Sequence, residues 1–328
     1  MPRSPIRSSR RRALQAMAAL SLPAAPIGAL AQEKVVRFIL PNATGSGVDA
    51  ITRAMQPALA KLLGASVVVE NQPGAGGIVG LQQLVRAQPD GNTLSVVSNN
   101  VVIFPNVYKT LPFDVPGDFT PICICGFTPI VLVVNPTKVP AKDSKELVAL
   151  LKARPDGYTY ASSGAGTIIH LAGAKYLDDV GATARHVPYK GVGPMVTDLL
   201  GGHVDIATAA LPSVQQHLKT GALRAIGVGT EKRIPAAPEI PTLVEQGVTN
   251  YVVEAWFAVL GPKGMAAADV QRVRDAVAAA LADPEVKPIM DRQGNVINVS
   301  TVDYAQKYVR SELQKYAALS RKIGLEAQ

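Results

Sequence analysis

The chain has 328 residues, with 33 lysines and arginines against 25 acids, a formal charge of +8 and only two cysteines. Five arginines (3, 7, 10, 11 and 12) fall in the first 31 residues beside no acid, so without that segment 28 basic groups face 25 acidic ones, a charge of +3. The remaining basic residues are scattered, without the clustered stripe or aromatic interleaving of a nucleic-acid surface, and nucleic acid is excluded as a partner.

Those arginines precede "ALQAMAALSLPAAPIGALA", which ends in Ala29-Leu30-Ala31, a small-residue pattern that predicts a secretory signal over 1–31 cleaved before Gln32. The apolar part is short and interrupted by Pro23 and Pro26, whereas a bilayer span needs about 20 apolar residues. "SRRRAL", Ser9 to Leu14, admits the twin-arginine route as well as the general one. Either route delivers a soluble, exported protein. Past the signal, 297 residues remain (328 less 31), too many for one small core and suited to two domains.

"KVVRFIL" opens the mature chain as a strand, followed by a helix over 48–63 whose Val48, Ile51, Met55, Leu59 and Leu62 recur at three- and four-residue steps and form one buried stripe. "ASVVVEN", a helix over 77–87 and "TLSVVSN" continue the alternation, which predicts an α/β fold with largely parallel strands. From Asp114 to Pro136 a long extended stretch intervenes. Alternation then resumes with "YTYASS", a helix over 167–180, "ARHVPY", a helix over 193–200 and "VDIATAA". A second extended run covers 251–262. The two long strands read as crossings between a first domain, 32–132 plus 256–328, and a second, 133–255. Helices over 267–281 and 302–323 return to the first.

Cys123 and Cys125, at i and i+2 on a strand, set their Cα atoms about 6.5 to 7 Å apart, at or beyond the reach of an unstrained disulfide, and read as two buried thiols. The four histidines, 170, 186, 203 and 217, show no metal-ligand spacing with cysteine or acid, so no metal is expected.

"ENQPGAGGIVG" places Gly74, Gly76 and Gly80 after a strand, where a dinucleotide loop would lie. Its spacing is one residue too long, "NQP" intervenes, and the next strand ends in asparagines where a ribose-binding acid belongs. No cofactor is expected. A serine hydrolase would need a nucleophile elbow, and neither "TGSGV" nor "YASSGAG" supplies one. Ser46 with His170 and Asp205 remains an alternative trio, although a lone histidine in "TIIHLAG" reads as a packed helix residue.

"RFILPNATGSGVDAI" and "TYASSGAGTIIHLAG" each run strand, small polar and glycine loop, helix. Each puts helix N-terminal N–H groups at the carboxyl edge of a sheet, where open α/β folds bind ligands. Two such ends facing one cleft suit an anion with two polar termini.

"LPNATGSGVDAITR", "VVVENQPGAGGIVG", "FPNVYKTLPFDVPGDFTPI", "SSGAGTIIHLAG", "HVPYKGVGPMVTDLLGGHVDI", "IPTLVEQGV" and "WFAVLGPKG" resemble, in order and spacing, the Bug family of extracytoplasmic solute receptors of tripartite tricarboxylate transporters. The resemblance covers nearly the whole mature chain. It implies a two-domain periplasmic binding protein of type II, Venus flytrap-like with hinge strands, monomeric and without catalytic activity. Such a receptor binds a small carboxylate, dicarboxylate, amino acid or aromatic acid and serves membrane permease subunits; service to a sensor kinase is the alternative.

The resemblance maps ligand contacts onto Asn42, Ala43, Thr44, Gly45 and Ser46 with Asp49, and onto Ser162, Ser163, Gly164, Gly166 and Thr167. Ser98, Asn99, Asn100 and Asp205 are expected near the cleft. The chain departs from the family in its first loop: Asn42 stands where an aromatic follows the proline, and Ser46 takes the second of two glycine positions. An amide in place of a ring implies a more polar or differently shaped ligand.

Overall fold

The computed structural model describes residues 34–74 and 77–325; the secretory signal lies outside the described residues. Strand β1 (Val35–Leu40) leads into α1 (Gly47–Leu63), then β2 (Ser66–Asn71), α2 (Ile78–Val85), β3 (Thr93–Ser98) and α3 (Asn100–Val107). The long β4 (Phe119–Val134) follows. Next come α4 (Ser144–Ala153), β5 (Thr159–Ser162), α5 (Ile168–Val180), β6 (Arg185–Pro188), α6 (Val192–Leu200), β7 (Ile206–Ala210), α7 (Leu211–Lys219) and β8 (Arg224–Val228). The chain finishes with β9 (Glu254–Pro262), α8 (Ala267–Leu281), α9 (Lys287–Arg292), β10 (Val296–Ile297) and α10 (Val302–Lys322).

The described strands form one sheet in the order β2-β1-β3-β9-β4-β7-β5-β6, with β8 and β10 also pairing with β4. It has two parallel parts. β1 lies between β2 and β3, and β5 lies between β6 and β7, each pair parallel. The two long strands join these parts and run antiparallel to their neighbours. β4 pairs with β9 from Phe119 to Pro129 and then with β7 from Ile130 to Val134. One continuous strand therefore serves both parts, which accounts for its unbroken apolar run: nearly every residue from Pro121 to Val134 is buried. Cys123 and Cys125 sit in this run as free, buried thiols.

Helix α1 shows how the sequence makes these elements. Val48, Ile51, Met55 and Leu59 are buried against the sheet, and Gly64 closes the helix in the left-handed conformation. Leu62, expected on that stripe, is instead 51% exposed, and Leu63 beside it packs against the core. Helix α8 packs on α1, while α10 lies along β4 and α3. The last turn of α10 reaches further: Lys322 Nζ stands 2.6 Å from Asp178 on α5. No helix among the described residues is long and apolar enough to cross a membrane.

Candidate ligand-binding site

The loop after β1 is built around one buried carboxylate. Ser46 is the N-cap of α1, and its Oγ accepts from the Asp49 N–H at 3.3 Å. Asp49 answers by accepting from the Gly45 N–H at 2.9 Å, which closes a reciprocal box across the first turn. The same carboxylate accepts from Asn71 Nδ2 at 3.0 Å and from Arg53 Nε at 2.8 Å. Asn71 also donates to the Asn42 carbonyl at 3.1 Å, so both ends of the loop hang on one network. Burial raises the Asp49 carboxyl, but the bonds from Gly45, Asn71 and Arg53 outweigh it and hold it below the usual carboxylate range.

Asp49 is thus occupied by its own loop and does not present its charge to a ligand. The N–H groups of Gly47 and Val48, next along the helix start, meet no acceptor among the described residues. They are the loop's available donors. At the same sheet edge a shallow concavity is lined by Pro41, Asn42, Ser98 and Asn100 over the apolar Leu81, Val97, Val101 and Phe104.

The glycine stretch after β2 supports this loop from beneath. Gly77 has φ of +116°, and a Cβ there would stand 2.9 Å from the Pro41 carbonyl. Only glycine allows that approach. Gly76, which with Gly74 and Gly80 made the dinucleotide-like spacing, lies outside the described residues.

The loop after β5 satisfies most of its own groups. Ser162 Oγ lies 2.7 Å from His186 Nε2 and accepts from the Gly164 N–H at 3.3 Å. Thr167 caps α5 by accepting from the His170 N–H, donates to the Gly164 carbonyl at 2.8 Å, and lies 3.3 Å from Ser163 Oγ. The Gly166 N–H donates to His170 Nδ1 at 3.0 Å, so His170 carries its proton on Nε2. His170 and His186 stack at 3.9 Å with their planes 5° apart, and Tyr160 stacks on His186. Burial, then the neighbouring His186, pushes the His170 imidazole down to about 3; burial takes His186 down to about 4. The Ile169 N–H meets no acceptor among the described residues.

Two contacts bring the loops after β3 and β5 together. Asn100 Oδ1 accepts from the Ile168 N–H at 2.9 Å, at the start of α5. Gly166, with φ of +72°, lies so close to Val107 of α3 that a Cβ would stand 2.5 Å from its Cγ2. Replacing Gly166 by alanine is expected to push these elements apart and weaken any ligand bridging them at least ten-fold, read by calorimetric titration; an unchanged affinity would show that the contact is dispensable.

Ser98 lies at this edge, but Asn99 is turned away from it. Its Nδ2 donates to the Glu254 carbonyl and to Tyr316 Oη, both at 2.8 Å, and the residue is wholly buried. Asn100, its neighbour, is the asparagine that lines the concavity. Asp205 is not brought to the site either. It precedes β7 and accepts from the Thr159 N–H and Oγ at 2.8 Å, at the start of β5. With β5 and β7 parallel, that is three residues, about 10 Å, from Ser162 at the carboxyl edge. The invariance of strand direction makes "VDIATAA" present its alanines, not its aspartate, to that edge.

Residues 51–325 match the family model described as "Tripartite tricarboxylate transporter family receptor". The chain belongs to this family. Among curated proteins it is 32% identical to Protein BugT of Bordetella pertussis (strain Tohama I) over 304 residues, 92% of this chain and 93% of that one. Among solved structures it is similar to the periplasmic binding protein BugD, with TM-score 0.82, 31% identity, and 89% and 98% of the two chains covered. It is also similar to R. palustris Rpa4515 with adipate, with TM-score 0.85, 26% identity, and 90% and 98% covered. The tripartite transporter receptor thus has the two-domain α/β architecture of a periplasmic binding protein, with the paired loops at the carboxyl edges of its two parallel parts.

Proposed function

We propose that this receptor captures a small organic anion, a mono- or dicarboxylate, between the loops after β1 and β5 and delivers it in the periplasm to the permease subunits of a tripartite tricarboxylate transporter. The observation that supports this reading is that two helix starts, each at the carboxyl edge of a parallel part of the sheet, keep N–H groups without an acceptor among the described residues. Gly47 and Val48 of α1 and Ile169 of α5 offer unengaged N–H groups, and the Asn100–Ile168 bond draws the two edges together. Backbone donors with a helix dipole behind them suit carboxylate oxygens and need no cationic side chain.

The domains are 32–132 plus 256–328 and 133–255, hinged at β4 and β9, and the ligand is held when both loops reach it. Asn42 and Ser46 stand in the first loop, Ser162, Ser163, Gly164, Gly166 and Thr167 shape the second, and Asp49 positions the donors. The adipate complex of Rpa4515 supports a dicarboxylate as the ligand class. Asn42, on the wall of the concavity, adds an amide that favours a ligand with a further polar group. The receptor acts as a monomer, without cofactor and without chemistry on its ligand. Ser46 Oγ is committed to its helix cap and Ser162 is buried, which weighs against a hydrolytic serine.

Thermal denaturation of residues 32–328 against mono-, di- and tricarboxylates, amino acids and aromatic acids tests this. An acid held about 100-fold above its dissociation constant adds ~2.7 kcal/mol, a clear rise in melting temperature. No shift with any acid, together with turnover of an ester or amide lost in Ser46→Ala, would replace the receptor reading with the hydrolase.

A further inference from the structure

Helix α5 is gripped at both ends by residues from outside its own part of the sheet. At its start, the Asn100 side chain, two residues past the end of β3, accepts the Ile168 N–H at 2.9 Å. At its end, Lys322 in the last turn of α10 stands 2.6 Å from Asp178 and 3.6 Å from Asp179. The helix has 13 residues, about 19 Å at 1.5 Å per residue, so the two grips lie well apart.

The chemistry at each end suits its place. An acceptor oxygen fits the positive start of a helix. Two adjacent aspartates stand at the negative end, where acids are disfavoured, and they require cations: Lys175 supplies one from within the helix, 2.6 Å from Asp179, and Lys322 supplies the other from α10. Both outside residues are anchored. Asn100 follows Asn99, whose amide is bonded to Glu254 and Tyr316, and Tyr316 belongs to the same α10 that carries Lys322. On the hinged reading, a rotation about β4 and β9 that carries α3 and the end of α10 away from α5 breaks both grips.

We propose that Asn100 and Lys322 are positioning residues that hold the two ends of α5 and so set the closed arrangement in which the paired loops meet a ligand. This rests on the hinged two-domain reading above. The neutral grip at Asn100 is short and partly buried, whereas Lys322 is 60% exposed, so the second grip is screened by salt and the first is not.

Spin labels at Lys61→Cys on α1 and Lys145→Cys on α4, with the native cysteines buried, report the separation of the two parts by pulsed electron paramagnetic resonance without added ligand. Asn100→Leu and Lys322→Glu are each expected to add a longer-distance population, largest in the double variant. Asn100→Asp and Lys322→Arg are expected to keep the parent distribution. Raising salt from 0.05 to 1 M, chosen as about a four-fold or greater change in Debye length, is expected to lengthen the parent distances but not those of Lys322→Glu.

A parent-like distribution in the double variant, or equal opening by the conservative variants, would overturn the proposal. Circular dichroism confirms that each variant is folded, and Lys322→Glu, at an exposed position, keeps the test open if Asn100→Leu is not. Since no acid is added, an absence of carboxylate binding would leave these distances unchanged, and an absent latch would leave the melting shifts unchanged.

Discussion

Replacing Asp49 by alanine is expected to lower stability by about 2 to 4 kcal/mol and to abolish measurable ligand binding. The side chain is 5% exposed and accepts three bonds, from Gly45, Asn71 and Arg53. Its removal strands the Gly45 N–H and the Asn71 amide, and Asn71 also holds the Asn42 carbonyl. The Gly47 and Val48 donors then lose their fixed direction. Arg53→Ala, which removes one partner that is 44% exposed, is expected to cost under about 1 kcal/mol and to leave binding nearly intact. Urea denaturation with an unchanged slope, paired with calorimetric titration, reads both effects. Equal losses in the two variants would mean that the ion pair matters and the buried box does not.

Acid is expected to destabilise the receptor through His170 and His186. An unfolded histidine binds its proton near pH 6.5, whereas the native pair resists until about 3 and about 4. Between those limits the unfolded state holds more protons, so stability contributed by the pair is full above pH 6.5 and lost as pH falls, for His170 by at most about 1.4 kcal/mol per pH unit. Protonation at Nδ1 of His170 also removes the acceptor of the Gly166 N–H and places like charges in a stack at 3.9 Å. Glu254 opposes this between 4.5 and about 6, because burial raises its carboxyl and its native cost recedes on acidification. Two histidines outweigh it.

His170→Asn keeps an oxygen for the Gly166 N–H but cannot titrate. Its melting temperature is expected to fall less than that of the parent between pH 7 and pH 4.5. Parallel curves would remove the stacked pair from the acid response.

The strands and the two loops were legible in the sequence because their causes are local. Alternation marked β1 to β3 and β5 to β7, and Ser46 and Thr167 stand at the helix starts that their residue type favours. Cys123 and Cys125, buried in a strand shared by both parts, followed from spacing alone. What depends on long-range pairing was hidden. Asn99 and Asn100 are chemically the same residue, and only the approach of Tyr316 and of Ile168 decides which one turns inward and which reaches across. Asp205 was expected near the cleft from the resemblance, and its bonds to Thr159 at the start of β5 depend on strand pairing that the sequence does not display. The short α3, with Pro105 inside it, carried too weak a period to be read as a helix, although it forms one wall of the site.

The measurement closest to the central claim is hydrogen–deuterium exchange with the acid that gives the largest melting shift. Binding between the two helix starts is expected to slow exchange together in peptides covering 42–49 and 163–170, with little change in α8 or α4. Binding of the acid with protection at only one of these loops, or at neither, would contradict it.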